Sequence, residues 1–487
     1  MTEQVLVRDE ASTIGTYYDV IVVGAGFAGL YSVYCMQEIG CSVRALEAGD
    51  GLGGTWFWNR YPGARCDIES VQYSYSFSEE IQQEWSWSER YAPQPEILRY
   101  MNFVADRLGL RKQLQFNTRV VSATFDEGRS LWTIVTEKGE CFCCRFCVMA
   151  TGCLSIPIDP AIKGLDIFKG KIYRTMEWPA EGVEFSGLKV GLIGTGATGV
   201  QITPHLAVQA KHLAVFQRTA NFSIPGHNRP MGAEYEREWK ENYRERRIAA
   251  RGTRNNALMR QNGFPGESLS DEELDRIFEE RWQMGGLAFL YAATDFVTSK
   301  RVNDAAAEFV RRKIAGIVKD PEMARKLMPR DHPIGSKRLC VDTHYYETFN
   351  RDNVTLIDLK EEPIETLTET GVRTTKGDYR LDAIVLATGF DAMTGSLRKI
   401  DITGRNGMKL ADKWNEAPKT LLGLAIAGFP NMFTITGPGS PSVFSNMVTS
   451  IEQSVDWIAD CVDFVRKHGM NSVEAKQSAE DQWFFHV

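Results

Sequence analysis

No apolar run in this 487-residue chain reaches the ~18 residues of a membrane-spanning helix without a glycine or a charge. The N-terminus, Met1-Thr2-Glu3-Gln4, lacks the basic-then-apolar order of a secretory signal. A positive excess is also missing. The 56 lysines and arginines face 63 acidic residues, and the net charge of −7 disfavours nonspecific binding to nucleic acid. Basic stretches such as Arg244-Glu245-Arg246-Arg247 alternate with acids and read as a solvated helix face. The expectation is a cytoplasmic, monomeric globular protein with no membrane or nucleic-acid partner. Its length suits two or three domains rather than one.

Cysteine is not scarce: there are 10, and Cys141, Cys143, Cys144 and Cys147 crowd together. The surrounding stretch alternates like a buried strand. Residues three apart on a strand point to opposite faces, ~10 Å apart along the chain. Cys144 and Cys147 are therefore not expected to bridge. The cluster reads as small apolar residues of a β-meander, and neither a metal site nor a redox dithiol is expected.

The most informative pattern occurs twice. Val20-Ile21-Val22-Val23 runs into Gly24-Ala25-Gly26-Phe27-Ala28-Gly29 and then a helix-like stretch to Glu38. Val190-Gly191-Leu192-Ile193 runs into Gly194-Thr195-Gly196-Ala197-Thr198-Gly199. In a strand–glycines–helix unit the first glycine makes the turn. The second admits a pyrophosphate, and the third allows close packing. The anion sits on the helix N-terminus. The next strand ends in Glu47 in the first unit and in Gln217-Arg218-Thr219 in the second. A carboxylate there accepts from a ribose 2′-OH, whereas an arginine favours a 2′-phosphate. Gly24, Gly26, Gly29 and Glu47 thus point to FAD or NAD. Gly194, Thr195, Gly196, Gly199, Arg218 and Thr219 point to NADP. One chain with both suggests a flavoenzyme reduced by NADPH.

The fold class is α/β, with two Rossmann-like dinucleotide-binding domains and a helical insertion in the second. Residues 1–15 read as a tail. Residues 16–152 and 387–487 form the FAD domain, and 153–227 and 334–386 the NADP domain. Residues 228–333 form the insertion, with helices over 234–251, 270–282 and 303–317, the last capped by Asn303 and Asp304. Two Ala-Thr-Gly turns, Ala150-Thr151-Gly152 and Ala387-Thr388-Gly389, mark where the chain passes between the nucleotide domains. A turn-rich loop over 437–442 feeds a helix over 445–465.

Three spans resemble type I Baeyer–Villiger monooxygenases of the phenylacetone and steroid monooxygenase branch. They are 53–67 (Gly-Gly-Thr-Trp-Phe-Trp-Asn-Arg-Tyr-Pro-Gly-Ala-Arg-Cys-Asp), 168–179 and 387–391. The resemblance covers about residues 15 to 487. It implies tightly held FAD, NADPH as reductant, and O₂ and a ketone as substrates. The ketone becomes an ester or lactone by way of a C4a-peroxyflavin and a Criegee intermediate. Such a peroxide must stay anionic, which a fixed cation favours. The resemblance gives that role to Arg338, oriented by Asp67. It gives Lys337 to the 2′-phosphate, Thr55, Trp56, Asp67 and Tyr73 to the flavin site, and Ser442, Val443 and Phe444 to the substrate.

Two departures stand out. The family fingerprint FxGxxxHxxxWP reads Phe168 to Pro179 here, with Arg174 at the histidine position. The family also continues beyond the point where this sequence ends, at Val487, with a stretch that helps to close the active site. Other readings stay open at this point: an N- or S-oxygenating flavin monooxygenase, a disulfide reductase, or a nucleotide-binding flavoprotein with impaired turnover.

Overall fold

A computed structural model describes residues 15–487, so all but the last residue of the expected tail lies outside the described residues. Two sheets, the first mixed and the second parallel, organise the chain. In the first, Thr16–Val23 is flanked by Val43–Leu46 and Cys141–Met149, both parallel to it. Val20 to Val23 are nearly bare of solvent, as expected of a strand covered on both faces. The strands Val120–Asp126, Leu131–Thr136 and Cys141–Met149 form the antiparallel meander. Cys141–Met149 serves two partners on one edge. Its first half pairs with Leu131–Thr136, and Cys147 to Met149 pair in parallel with Met432–Thr434. The strand Asp401–Thr403 adds to the meander's outer edge.

The second sheet is wholly parallel. Its order is Val354–Asp358, His212–Gln217, Lys189–Ile193, Ala383–Leu386, Lys171–Arg174. The connectors between the sheets lie side by side. Ile158 N donates to the Gly389 carbonyl at 3.0 Å and Asp391 N to that of Ile156 at 2.8 Å. Thr151 and Ser396 share a hydroxyl hydrogen bond of 2.9 Å.

The segment between Ser223–Pro225 and Cys340–Asp342 holds helices Ala233–Glu241, Tyr243–Arg251, Asp271–Met284, Lys300–Ile317 and Pro321–Leu327. The expected helix over 234–251 is thus two, broken at Asn242. Ser270 and Glu273 form a reciprocal capping box on Asp271–Met284. Lys300–Ile317 begins earlier than the sequence pattern suggests, because Ser299 is its cap and accepts from Val302 N. Asn303 is instead buried and donates to the carbonyls of Phe296 and Ile334, at 3.1 and 2.8 Å.

The cysteine cluster departs from simple alternation. Phe142 and Cys144 pack into the same core as Cys147 and Met149, while Phe146 and Val148 pack into the other. The inward face therefore switches at Arg145. Cys144 and Cys147 lie together, not on opposite faces. Burial and the neighbouring Cys147 thiol push the Cys144 thiol well above its ordinary pKa. Both are free thiols, and the Cys144 thiol has little thiolate to offer redox chemistry.

Candidate active site

The two fingerprints are built alike at their first and third glycines. Gly24 has φ +109° and Gly194 φ +112°. A Cβ on Gly24 would lie 2.5 Å from the Ala150 carbonyl oxygen, and one on Gly194 would lie 2.3 Å from that of Ala387. Each first glycine is thus pressed against the alanine of an Ala-Thr-Gly turn, which explains why the two motifs recur together. The third glycines follow suit. A Cβ on Gly29 or Gly199 would overlap the carbonyl of Gly24 or Gly194, at 2.0 and 2.2 Å.

Helices Phe27–Glu38 and Ala197–Gln209 start from Gly26 and Gly196 with no side-chain cap and no acidic residue in the first turn. Each offers uncapped N–H groups and the positive end of a helix dipole. A Cβ on Gly54 would lie 2.9 Å from Gly26 Cα, so the turn before helix Thr55–Trp58 faces the first fingerprint across a backbone-only gap. This cradle fits a pyrophosphate. Gly54 was not singled out from sequence, although the Gly53-Gly54 pair was its signal.

The ends of the second strands differ. Glu47 is buried, and its two oxygens accept from Ala25 N and Gly49 N, both at 2.8 Å. Burial pushes its carboxyl above the usual pKa, against the pull of these two N–H groups. Arg218 is exposed and, like the exposed Lys337, makes no side-chain hydrogen bond or ion pair among the described residues. The Thr219 carbonyl accepts from Thr195 Oγ1 at 2.9 Å, which ties the strand end to the second fingerprint.

Trp56, in Thr55–Trp58, donates its indole N–H to the Tyr73 hydroxyl at 3.1 Å. Tyr73 stands edge-on to Phe27, ring centres 5.5 Å apart. Thr55, Trp56 and Tyr73 therefore gather around the first fingerprint helix.

Asp67 and Arg338 are 271 residues apart in sequence and meet in a bidentate pair. Arg338 Nε donates to Asp67 Oδ2 at 2.6 Å and Nη2 to Oδ1 at 2.7 Å. Nη1 donates to the Val443 carbonyl. Burial works against the charge, but Asp67's charge and hydrogen bonds outweigh it and raise the guanidinium pKa above its ordinary value. The outcome is a permanently charged cation with its plane fixed on two sides. The turn Ser442–Phe444 thus reaches the pair through backbone. Phe444 is 67% exposed, and the Ser442 side chain lies outside the described residues.

Arg174 ends the edge strand Lys171–Arg174 of the second sheet. It donates through Nε and Nη2 to Asp159 Oδ1 at 3.1 and 2.6 Å. The fingerprint position is therefore tied to the connector.

A model of the flavin-binding monooxygenase-like family matches residues 18–231. A Baeyer–Villiger monooxygenase of Pseudooceanicola batsensis is 43% identical over 98% of this chain and 87% of its own. Phenazine N-monooxygenase PhzNO1 of Lysobacter antibioticus is also 43% identical, over 96% of this chain and 86% of its own. A solved structure of oxidized steroid monooxygenase bound to NADP is 50% identical. It superposes with a TM-score of 0.93 over 96% of this chain and 90% of that one. No helix among the described residues is long and apolar enough to cross a membrane. With both nucleotide cradles and the paired arginine in place, the chain belongs to the FAD- and NADPH-dependent Baeyer–Villiger monooxygenases.

Proposed function

We propose that Arg338 is the catalytic cation for inserting one oxygen atom of O₂ beside a ketone carbonyl, and that Asp67 orients it. The bidentate Asp67–Arg338 geometry is the observation that carries this reading. When bound, NADPH supplies the hydride, and FAD accepts it and activates O₂. The protein's part is electrostatic and positional. Arg338 cannot lose its proton at working pH, so it stabilises negative charge developing on the transferred oxygen. Asp67 and the Val443 carbonyl keep the guanidinium from rotating away.

Gly24, Gly26, Gly29, Glu47, Thr55, Trp56, Asp67 and Tyr73 hold FAD. Gly194, Thr195, Gly196, Gly199, Arg218, Thr219 and Lys337 hold NADPH. Ser442, Val443 and Phe444 border the ketone. The FAD domain comprises 16–152 and 387–487, supported by the strands Asp401–Thr403 and Met432–Thr434 joining the first sheet. The NADP domain comprises 153–227 and 334–386, and 228–333 is its insertion. Ten cysteines with no disulfide among the described residues suit a reducing cytoplasm, where the protein acts as a monomer.

Incubation with NADPH, ¹⁸O₂ and a panel of cyclic and aromatic ketones tests this. An ester or lactone carrying one ¹⁸O supports it. NADPH consumed with only hydrogen peroxide released, whatever the ketone, overturns it. The Lysobacter relative motivates a second reading, N-oxygenation. An N-oxide formed from phenazine, with no ketone oxygenated, would put that reading in its place.

A further inference from the structure

The loop that carries Asp67 is held by both nucleotide-binding halves. Tyr61 donates its hydroxyl to Gln201 Oε1 at 2.8 Å, and Gln201 Nε2 donates to the Arg65 carbonyl at 2.9 Å. One side-chain amide thus uses both its ends on a single loop. Tyr61 is buried. That burial pushes its hydroxyl up to about 12, opposed by a hydrogen bond with Thr198. Gly63 lies between them at φ +85°. A Cβ there would be 2.5 Å from both the Gln201 carbonyl and the His205 ring, so only glycine permits this approach. Thr198 and Gln201 belong to Ala197–Gln209, the helix whose first turn is the second fingerprint. On its other side the loop is tied to its own half, with Cys66 N donating to Ala92 O at 3.2 Å and Gln94 N to Ala64 O at 2.9 Å.

We propose that Gln201, acting with Tyr61, is a positioning residue that couples nicotinamide-nucleotide occupancy to the Asp67–Arg338 pair. The inference rests on the reading of Arg338 given above. The path is short and made of identified contacts. A nucleotide seated on the N-terminus of Ala197–Gln209 fixes that helix. Gln201 passes its position to the Arg65 carbonyl, Asp67 follows two residues on, and the bidentate pair sets the guanidinium. In this reading the neighbouring Gln201 and Tyr61 side chains act only through the loop that they hold. Their loss should therefore spare flavin reduction and harm oxygen transfer.

Two variants test this in the FAD-loaded enzyme. Gln201→Leu keeps the bulk and removes both hydrogen bonds, while Tyr61→Phe removes a single hydroxyl. Hydrogen exchange with and without NADP⁺ is read first, because it needs no turnover. In the parent, NADP⁺ should slow exchange over 61–67 by about tenfold, the factor that one or two neutral hydrogen bonds are worth. In Gln201→Leu that protection should vanish, while protection over 194–200 persists. Equal protection of 61–67 in parent and variant would overturn the proposal.

Turnover is read second. Gln201→Leu should be reduced by NADPH at the parent's rate, with the ratio of ester to peroxide down about tenfold and Tyr61→Phe down about threefold. In an Asp67→Ala background Gln201→Leu should cost nothing further, since both act through one pair. Full additivity, or equal loss of reduction and oxygenation, counts against coupling. If Gln201→Leu fails to retain FAD, Tyr61→Phe is read by the same criteria. A failure of the ketone reading shows in the parent itself, which would release peroxide and no ester, and the exchange measurement still decides the coupling.

Discussion

Arg218→Ala is the perturbation whose size follows most directly from the structure. The Arg218 side chain has no hydrogen bond or ion pair among the described residues and is exposed. Its removal therefore orphans nothing within the protein, and melting temperature and FAD content should not change. On the role proposed for Arg218, what is lost is the contact with the nucleotide's 2′-phosphate alone. One charge-assisted hydrogen bond contributes about 1.5–3 kcal/mol, which is about tenfold to about 150-fold in affinity. Solvent exposure and salt screening place Arg218 near the lower figure. The Michaelis constant for NADPH should rise about tenfold at physiological salt and further at low salt, while that for NADH stays the same. Steady-state NADPH and NADH titrations at two ionic strengths measure this. Equal loss for the two nucleotides would show that Arg218 shapes the strand end rather than reading the phosphate. A salt-independent effect would refute the electrostatic argument.

Arg338→Ala should retain FAD and be reduced by NADPH, yet form no ester in a gas-chromatographic assay. Ester at the parent's rate would remove Arg338 from the mechanism. Asp67→Ala should show the same defect in milder form, about tenfold in ester formation, because two charge-assisted bonds are lost from a pair that is partly exposed. Flavin reduction slowed as much as ester formation would point instead to damage in the FAD cradle. Arg174→His removes a permanent charge and its hold on Asp159 from the connector. It should change ester formed per NADPH consumed while leaving flavin content alone. A variant matching the parent in both ester yield and peroxide release would make this departure from the family fingerprint silent.

Much of the scaffold is legible because its signals are local. Glycine spacing, apolar strands and the charge at each strand end sit within about thirty residues of one another in a Rossmann unit. The Asp67–Arg338 pair has no such signal. The partners are separated by 271 positions, and only the family resemblance brings them together on paper. Other features depend on register or tertiary context. Asp401–Thr403 and Met432–Thr434 are three-residue strands whose pattern resembles any short loop until a sheet edge claims it. The face switch at Arg145 defeats a strict period of two, which is why Cys144 and Cys147 meet against expectation. Asn303 looks like a helix cap because asparagine so often is one. The fold uses it inside the helix as a buried donor to two carbonyls, and Ser299 takes the capping role. In each case a local preference is overridden by where the chain must be buried.

Glu47 and Arg218 both close the second strand of a Rossmann unit, Arg218 one position further along than Glu47, and the structure treats them oppositely. Glu47 is buried, and both oxygens are engaged by backbone N–H groups before any ligand arrives. Its orientation is therefore preset, and each oxygen keeps a further lone pair for a donor such as a ribose hydroxyl. A site of this kind loses little side-chain entropy on binding, which suits a cofactor that stays. Arg218 is exposed and unengaged, as is Lys337. Their long side chains must be ordered each time a phosphate binds and are released each time it leaves. Attraction between solvated charges speeds the encounter without making departure slow. On the assignment proposed above, burial at the two strand ends thus separates a resident flavin nucleotide from a nicotinamide nucleotide that must exchange on every turnover.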